Sequence, residues 1–187
     1  MSSLRQFSAH DLFGYNNINL DHLTETYNLG FYFEYLAKWP DYFLTNEAPN
    51  GALTSYIMGK AEAFGRDDKQ NRSKESWHGH VTAVTVDPDY RRLGFAKQLM
   101  DGLERTSEET YDGVFVDLFV RASNDVAIGM YKKRGYSVYR RVLGYYSGGE
   151  KEDAFDMRKA LKRDAEKKSI VPLSPLEVSP ASLWDEL

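Results

Sequence analysis

The pattern of apolar and polar positions is most informative between residues 80 and 103. Val81, Val84 and Val86, with Thr82 and Thr85, are β-branched residues suited to a pleated surface. They predict a strand that starts at His80 and is closed by Asp87-Pro88-Asp89, because Pro88 has no backbone donor and fixes its own φ. Leu93, Ala96, Leu99, Met100 and Leu103 then recur at helical spacing. Arg91, Arg92 and Gly94 lie at the junction. The predicted unit is therefore a strand, a basic glycine-containing turn and a helix.

The rest of the chain reads as follows. Leu4–Phe7 suits a short first strand, and Asp11–Leu20 a helical or turn-like region. Phe31 to Trp39 is rich in aromatics and reads as a buried helix ended before Pro40, although propensity alone also permits a strand. Tyr42–Asn46 and Leu53–Ala63 read as strands joined by the turn Ala48-Pro49-Asn50-Gly51. Residues 65–76 are strongly polar and predict a mobile loop. Val114–Val120 is apolar except for Asp117, the pattern of a central strand buried on both faces. Asn124–Arg134 predicts a helix with Ser123 as its cap and Gly135 as its stop. Tyr136–Leu143 and Ala154–Met157 predict closing strands linked by the loop Ser147–Asp153. The charged run Arg158–Lys168 reads as a surface helix, and residues 169–187, with three prolines, as a tail that is ordered only if something holds it.

Composition narrows the function. A chain of 187 residues suffices for one domain with a substantial core. No apolar run approaches 18 residues, and the N-terminus lacks the pattern of a secretory signal, so neither a membrane span nor export is expected. The absence of cysteine excludes disulfides, Cys-ligated zinc and a Cys nucleophile, and suits a cytoplasmic protein. A net charge of −4 argues against sequence-independent nucleic-acid binding. The 13 tyrosines and 10 phenylalanines suit a core, a substrate channel or a partner surface, and the count does not divide these.

The candidate chemistry begins at the turn. Backbone N–H groups at a helix start, aided by the dipole, favour an anion. Gly94 permits close approach to the backbone, Ala96 keeps the next turn open, and Arg91 and Arg92 add counter-charge. A pyrophosphate fits such a site. Asn124 and Tyr131 are seven residues apart and share one helix face. His80 and Thr82 are two polar side chains on one face of a valine-rich strand, and together they can donate hydrogen bonds to a carboxylate or amide oxygen.

The strand and R-R-x-G-x-A turn are similar to those of the acetyl-CoA-binding N-acetyltransferases of the GNAT superfamily. Three further segments extend the likeness over residues 1 to about 173: Asn17–Phe43, Val116–Tyr136 and Tyr145–Leu161. In that order they resemble the catalytic subunits of NatB-type N-terminal acetyltransferases. The resemblance implies an α/β GNAT fold, with a mixed central sheet splayed between two parallel strands and helices on both faces. It implies a domain over residues 1–160, followed by a charged helix and Pro-containing tail over 161–187.

The same resemblance implies acetyl-CoA as co-substrate, no metal, and transfer of acetyl to the α-amine of an N-terminal Met followed by Asp, Glu, Asn or Gln. The cofactor would be held by Val84, Thr85, Val86, Arg91, Arg92, Leu93, Gly94, Phe95, Ala96, Asn124 and Tyr131. The N–H groups of Val84 and Val86 would hold the thioester carbonyl, and Tyr131 would act as general acid. His80 and Glu25 are the remaining catalytic candidates. Glu25, Tyr27, His80, Thr82, Tyr145 and Tyr146 would meet the peptide, with Glu25 and Tyr27 in one loop and Tyr145 and Tyr146 in a facing loop. A helical-repeat auxiliary subunit, nascent protein N-termini and the ribosome, reached through that subunit, are the implied partners. The alternatives are a lysine or small-amine acetyltransferase and a catalytically silent acetyl-CoA-binding module.

Overall fold

The computed structural model describes residues 2–20, 24–64, 76–146, 151–172, 174 and 176–183. Eight strands are β1 (Ser3–Gln6), β2 (Leu44–Glu47), β3 (Leu53–Phe64), β4 (Ser76–Val86), β5 (Phe115–Arg121), β6 (Ser137–Tyr146), β7 (Glu152–Ala160) and β8 (Glu177–Val178). Three α-helices are α1 (Leu29–Lys38), α2 (Phe95–Glu109) and α3 (Asp125–Lys133). The sheet order is β1-β2-β3-β4-β5-β7-β6-β8, and the sheet is mixed. The described residues form two compact units, 1–60 with 81–106, and 61–80 with 107–187.

The first unit is built on aromatic rings. Phe7 stacks on Phe43 at 4.1 Å, and Tyr15, Tyr32 and Tyr56 pack edge-on or tilted around them. Tyr32, Tyr42 and Tyr56 are wholly buried, and Tyr56 places its hydroxyl 2.8 Å from Asn19 Oδ1. Much of the aromatic surplus is therefore core, where each ring contributes a large apolar area and Tyr keeps a polar handle. Helix α1 starts at Asn28, whose side chain accepts from the Phe31 N–H, and ends at Trp39, the residue before Pro40. The helix expected to end before Pro40 is present, though only Tyr32 and Tyr35 of it are buried. Its Tyr35 is buried while Phe33 is half exposed. Helix α2 buries Leu99, Met100 and Leu103 completely, a stripe at i, i+1 and i+4.

In the second unit, β5 is buried along nearly its whole length, as its apolar run predicts. It pairs antiparallel with β7, which pairs antiparallel with β6. The helix expected over Arg158–Lys168 is absent. Arg158, Lys159 and Ala160 are the last residues of β7, and Lys168–Ile170 is a short 3₁₀ turn. Arg158 is buried in that strand, with Nη2 3.2 Å from Asp156 and its guanidinium 3.4 Å from the Tyr139 ring centroid. A paired, stacked arginine can lie in a sheet interior; an unpaired one could not. Within the Pro-containing tail, Glu177–Val178 form β8, parallel to β6 at Arg141 and Val142. The polar loop expected at 65–76 falls on residues 65–75, outside the described residues, and Ser76 opens β4.

Candidate active site

The turn after β4 has the form its residues predict. Asp87 donates its N–H to the Thr54 carbonyl and caps a short 3₁₀ turn, Pro88–Tyr90, through its side chain. Arg91 folds back, its Nε 3.3 Å from the Val86 carbonyl. Arg92 (φ 67°) and Gly94 (φ 88°) are both left-handed. A Cβ on Gly94 would meet nothing within 4 Å, so open space lies against that backbone. The hydrogen bond from Gln98 N–H to Gly94 C=O opens α2, so the N–H groups of Phe95, Ala96 and Lys97 lie ahead of the helical ladder. Arg91 and Arg92 are exposed. Free donors, open space and two cations fit a diphosphate. Leu93 departs from the predicted periodicity: it precedes α2 and is 64% exposed. Phe95 and Ala96 are half-buried at the helix start.

Along the end of β4, side chains alternate. Thr85 is buried and turns inward, its Oγ1 2.9 Å from that of Thr24 and within 3.4 Å of the Ile18 carbonyl. Its side chain is therefore occupied by the fold, leaving only its main chain for a ligand. Val84 and Val86 are half-buried and lie on the opposite face. Thr82 Oγ1 donates to the Tyr35 hydroxyl at 2.9 Å. Tyr27 stacks on Phe31 at 4.3 Å and points its hydroxyl at the Thr82 carbonyl, 3.5 Å away. Two of the predicted peptide-side residues, Tyr27 and Thr82, thus meet. Glu25 is exposed in the irregular stretch before α1.

In the second unit, Asn124 rather than Ser123 caps α3. Its Oδ1 accepts from the Ala127 N–H at 3.1 Å. Ser123 instead has its N–H engaged by Glu152 of the neighbouring strand at 3.0 Å. The helix closes by Gly135 N–H bonding to Lys132 C=O and Tyr136 N–H to Tyr131 C=O, with Gly135 at φ 91°. That is a Schellman ending, and its hydrophobic contact is Tyr131 against Tyr136, 5.7 Å between centroids. Tyr131 is anchored at both backbone and ring. It is 6% exposed, and burial pushes its hydroxyl well above the usual tyrosine value, so it keeps its proton at neutral pH.

His80 sits on β4 with Nδ1 2.7 Å from Asp117 Oδ1 of β5. Asp117 is buried. Burial pushes its carboxyl up, but His80, by charge and hydrogen bond, then His78 and Arg158, outweigh burial and hold it well below the usual carboxylate range. His78 is buried and stacks flat on Phe115 at 4.6 Å. The His80 ring tilts against Phe119 at 5.9 Å, and Tyr145 stacks on Phe119 at 4.7 Å. Tyr145 and Tyr146 are not in a loop: β6 runs through both, and Tyr146 pairs with Glu152. Arg121 lies 4.1 Å over the Tyr146 ring and holds Glu152 at 3.0 Å, which extends the hairpin. Asp117 and Phe119 were not among the predicted site residues. Asp117 did leave a sign, as the one charge in the apolar run Val114–Val120; Phe119 left none.

Among the described residues, no group of three or more His, Cys, Asp or Glu side chains is arranged to hold a metal, and no helix is long and apolar enough to cross a membrane. The model of the acetyltransferase (GNAT) family matches residues 12–136. The chain belongs to the GNAT family. The GNAT chain is 57% identical over 173 residues to the N-terminal acetyltransferase B complex catalytic subunit NAA20 of Arabidopsis thaliana, covering 92% of this chain and 93% of that one. It is 58% identical over 173 residues to N-alpha-acetyltransferase 20 of Dictyostelium discoideum, covering 92% and 94%. Among solved structures, the Naa20 of Chaetomium thermophilum in complex with a bisubstrate analogue superposes with a TM-score of 0.86, at 42% identity, covering 97% of this chain and 99% of the other. The NatB acetyltransferase complex bound to CoA and MES matches with a TM-score of 0.73, at 44% identity, covering 85% and 99%. The mixed eight-stranded sheet with three helices is the GNAT fold.

Proposed function

We propose that this chain is the catalytic subunit of a NatB-type N-terminal acetyltransferase. It moves acetyl from acetyl-CoA to the α-amine of an N-terminal Met followed by Asp, Glu, Asn or Gln. The observation that carries this reading is the likeness to NAA20-type catalytic subunits over more than nine-tenths of the chain. The turn built from Arg91, Arg92 and Gly94 supports it, since its form suits a diphosphate.

Acetyl-CoA supplies an acetyl thioester when bound. Arg91, Arg92 and the N–H groups at the start of α2 would hold its diphosphate, Asn124 its pantetheine arm, and the N–H groups of Val84 and Val86 the carbonyl oxygen. Tyr131 retains its proton at neutral pH and would supply it to the thiolate leaving group. A peptide α-amine has a pKa of roughly 7.7–8.0, so a tenth or more is already neutral at pH 7, and the demand on a base is small. His80, Thr82, Tyr27, Glu25, Tyr145 and Tyr146 face the peptide.

A helical-repeat auxiliary subunit completes the enzyme in the cytoplasm and brings it to nascent chains at the ribosome. The test is a set of initial rates on peptides beginning Met-Asp, Met-Leu and Ser, and on an internal lysine, with and without the auxiliary subunit. Turnover confined to Met-Asp is the expected result. Acetylation of the internal lysine would favour a lysine acetyltransferase, and cofactor binding without turnover a silent module.

A further inference from the structure

The charged groups around His80 form a file across the second unit. Asp117 Oδ1 lies 2.7 Å from His80 Nδ1, and Oδ2 lies 3.6 Å from His78 Nε2. Glu62, on β3, lies 3.8 Å from the same His78 nitrogen. Arg158 stands directly opposite Asp117 in the β5–β7 register, and Asp156 engages Arg158 at 3.2 Å and Arg140 at 3.0 Å. Among the described residues, these groups of β3, β4, β5, β6 and β7 are tied to the His80–Asp117 pair directly or through His78, Arg158 and Asp156. Asp117 is ionised, because two imidazoles and an arginine surround it. An ionised carboxylate only accepts hydrogen bonds. The 2.7 Å contact therefore requires the proton on His80 Nδ1, whatever the charge of the ring. His80 Nε2 has no hydrogen-bond partner among the described residues, and the side chain is 14% exposed.

We propose that Asp117 is a positioning residue that keeps the His80 proton on Nδ1, so that Nε2 meets the second residue of the peptide as a donor when the ring is charged and as an acceptor when it is neutral. This rests on the reading of His80 as a peptide-facing residue. A charged ring donates to the carboxylate of Asp or Glu. A neutral ring cannot, since Asp117 denies it the other tautomer; it accepts instead from the side-chain N–H of Asn or Gln. One site then takes both acidic and amide residues, and pH sets the balance between them.

The test is the ratio of kcat/KM for Met-Asp over Met-Asn peptides from pH 5.5 to 8.5, with the full chain and its auxiliary subunit. The α-amine titrates alike in both peptides and cancels, and the Asp side chain stays ionised throughout. In the wild type the ratio falls as pH rises, because only a charged ring can donate from Nε2 to the Asp carboxylate. In Asp117→Asn the slope disappears: the amide can donate to Nδ1, which lets a neutral His80 carry its proton on Nε2 and go on donating. KM for Met-Asp moves more than kcat. A flat wild-type ratio, or a wild-type slope in D117N, overturns the proposal. If His80→Ala turns over Met-Asp as the wild type does, the assignment of His80 to the peptide fails and the proposal falls with it. If H80A loses that turnover while D117N keeps the slope, only Asp117 is refuted. Should D117N not fold, ¹⁵N spectra of the histidine-labelled wild-type chain decide the matter, with the His80 signal identified by its loss in H80A. A neutral ring protonated at Nδ1 is expected, and one protonated at Nε2 refutes the tautomer.

Discussion

Tyr131→Phe removes one oxygen and little else. The ring is 6% exposed and packs on Tyr136, and its backbone carbonyl receives the Tyr136 N–H at 3.1 Å; a phenylalanine preserves both. Among the described residues the hydroxyl has no hydrogen-bond partner, so none is lost. Stability should therefore stay within about 0.5 kcal/mol of the wild type. Catalysis should not. A general acid contributes roughly 10²-fold or more, and 10²-fold corresponds to about 2.7 kcal/mol of transition-state stabilisation. The assay is thiol release at saturating acetyl-CoA and Met-Asp peptide, beside a thermal melt. Because burial raises the hydroxyl, the wild type should show no alkaline loss of kcat from this group below about pH 9. A kcat within threefold of the wild type would remove Tyr131 from the mechanism; a fall matched by a collapsed melt would mean the loss was structural.

Other perturbations follow from named contacts. Gly94→Ala places a Cβ at φ 88°, a strain of about 1–2 kcal/mol, and should weaken CoA binding about tenfold by calorimetry; unchanged affinity would mean that the turn does not hold the cofactor. Asp156→Ala removes the carboxylate that pairs two buried arginines, Arg140 and Arg158, and should cost about 3–5 kcal/mol in urea unfolding, with a loss under 1 kcal/mol counting against a buried network. For His78, burial lowers proton affinity and outweighs Asp117, which opposes it. The unfolded chain then binds the proton more tightly, so the stability is present above about pH 6.5 and is lost as pH falls through the lower folded value. The melting temperature should therefore drop on acidification below pH 6.5, and His78→Gln should flatten that slope. An unchanged slope would assign it to other groups.

Some of the structure was legible residue by residue. The strand-turn-helix around Gly94, the helix stopped before Pro40 and the ending at Gly135 each depend on φ preferences and missing donors within a few residues. The charged run after Met157 misled for a related reason. Its composition suits a solvated helix, but Arg158 forms β7 because Asp156 and Tyr139 surround it, and neither the pairing of β7 with β5 nor that with β6 is written in local periodicity. The family resemblance puts Tyr145 and Tyr146 in a loop, whereas the structure carries β6 through both. Their strand is extended by Glu152, which faces Tyr146 across the hairpin.

By itself, then, the chain order determined the form of the turn at residues 91–94 and the family likeness, because both are carried by residue types at short spacing, and through that likeness it named Tyr131 as the candidate acid. Only the tertiary structure decided which distant residues meet. His80 and Asp117 are 37 residues apart, and they meet because β4 and β5 are neighbours in the sheet. Strand neighbours are chosen by how whole faces bury, and that choice determines which atom of an imidazole carries its proton.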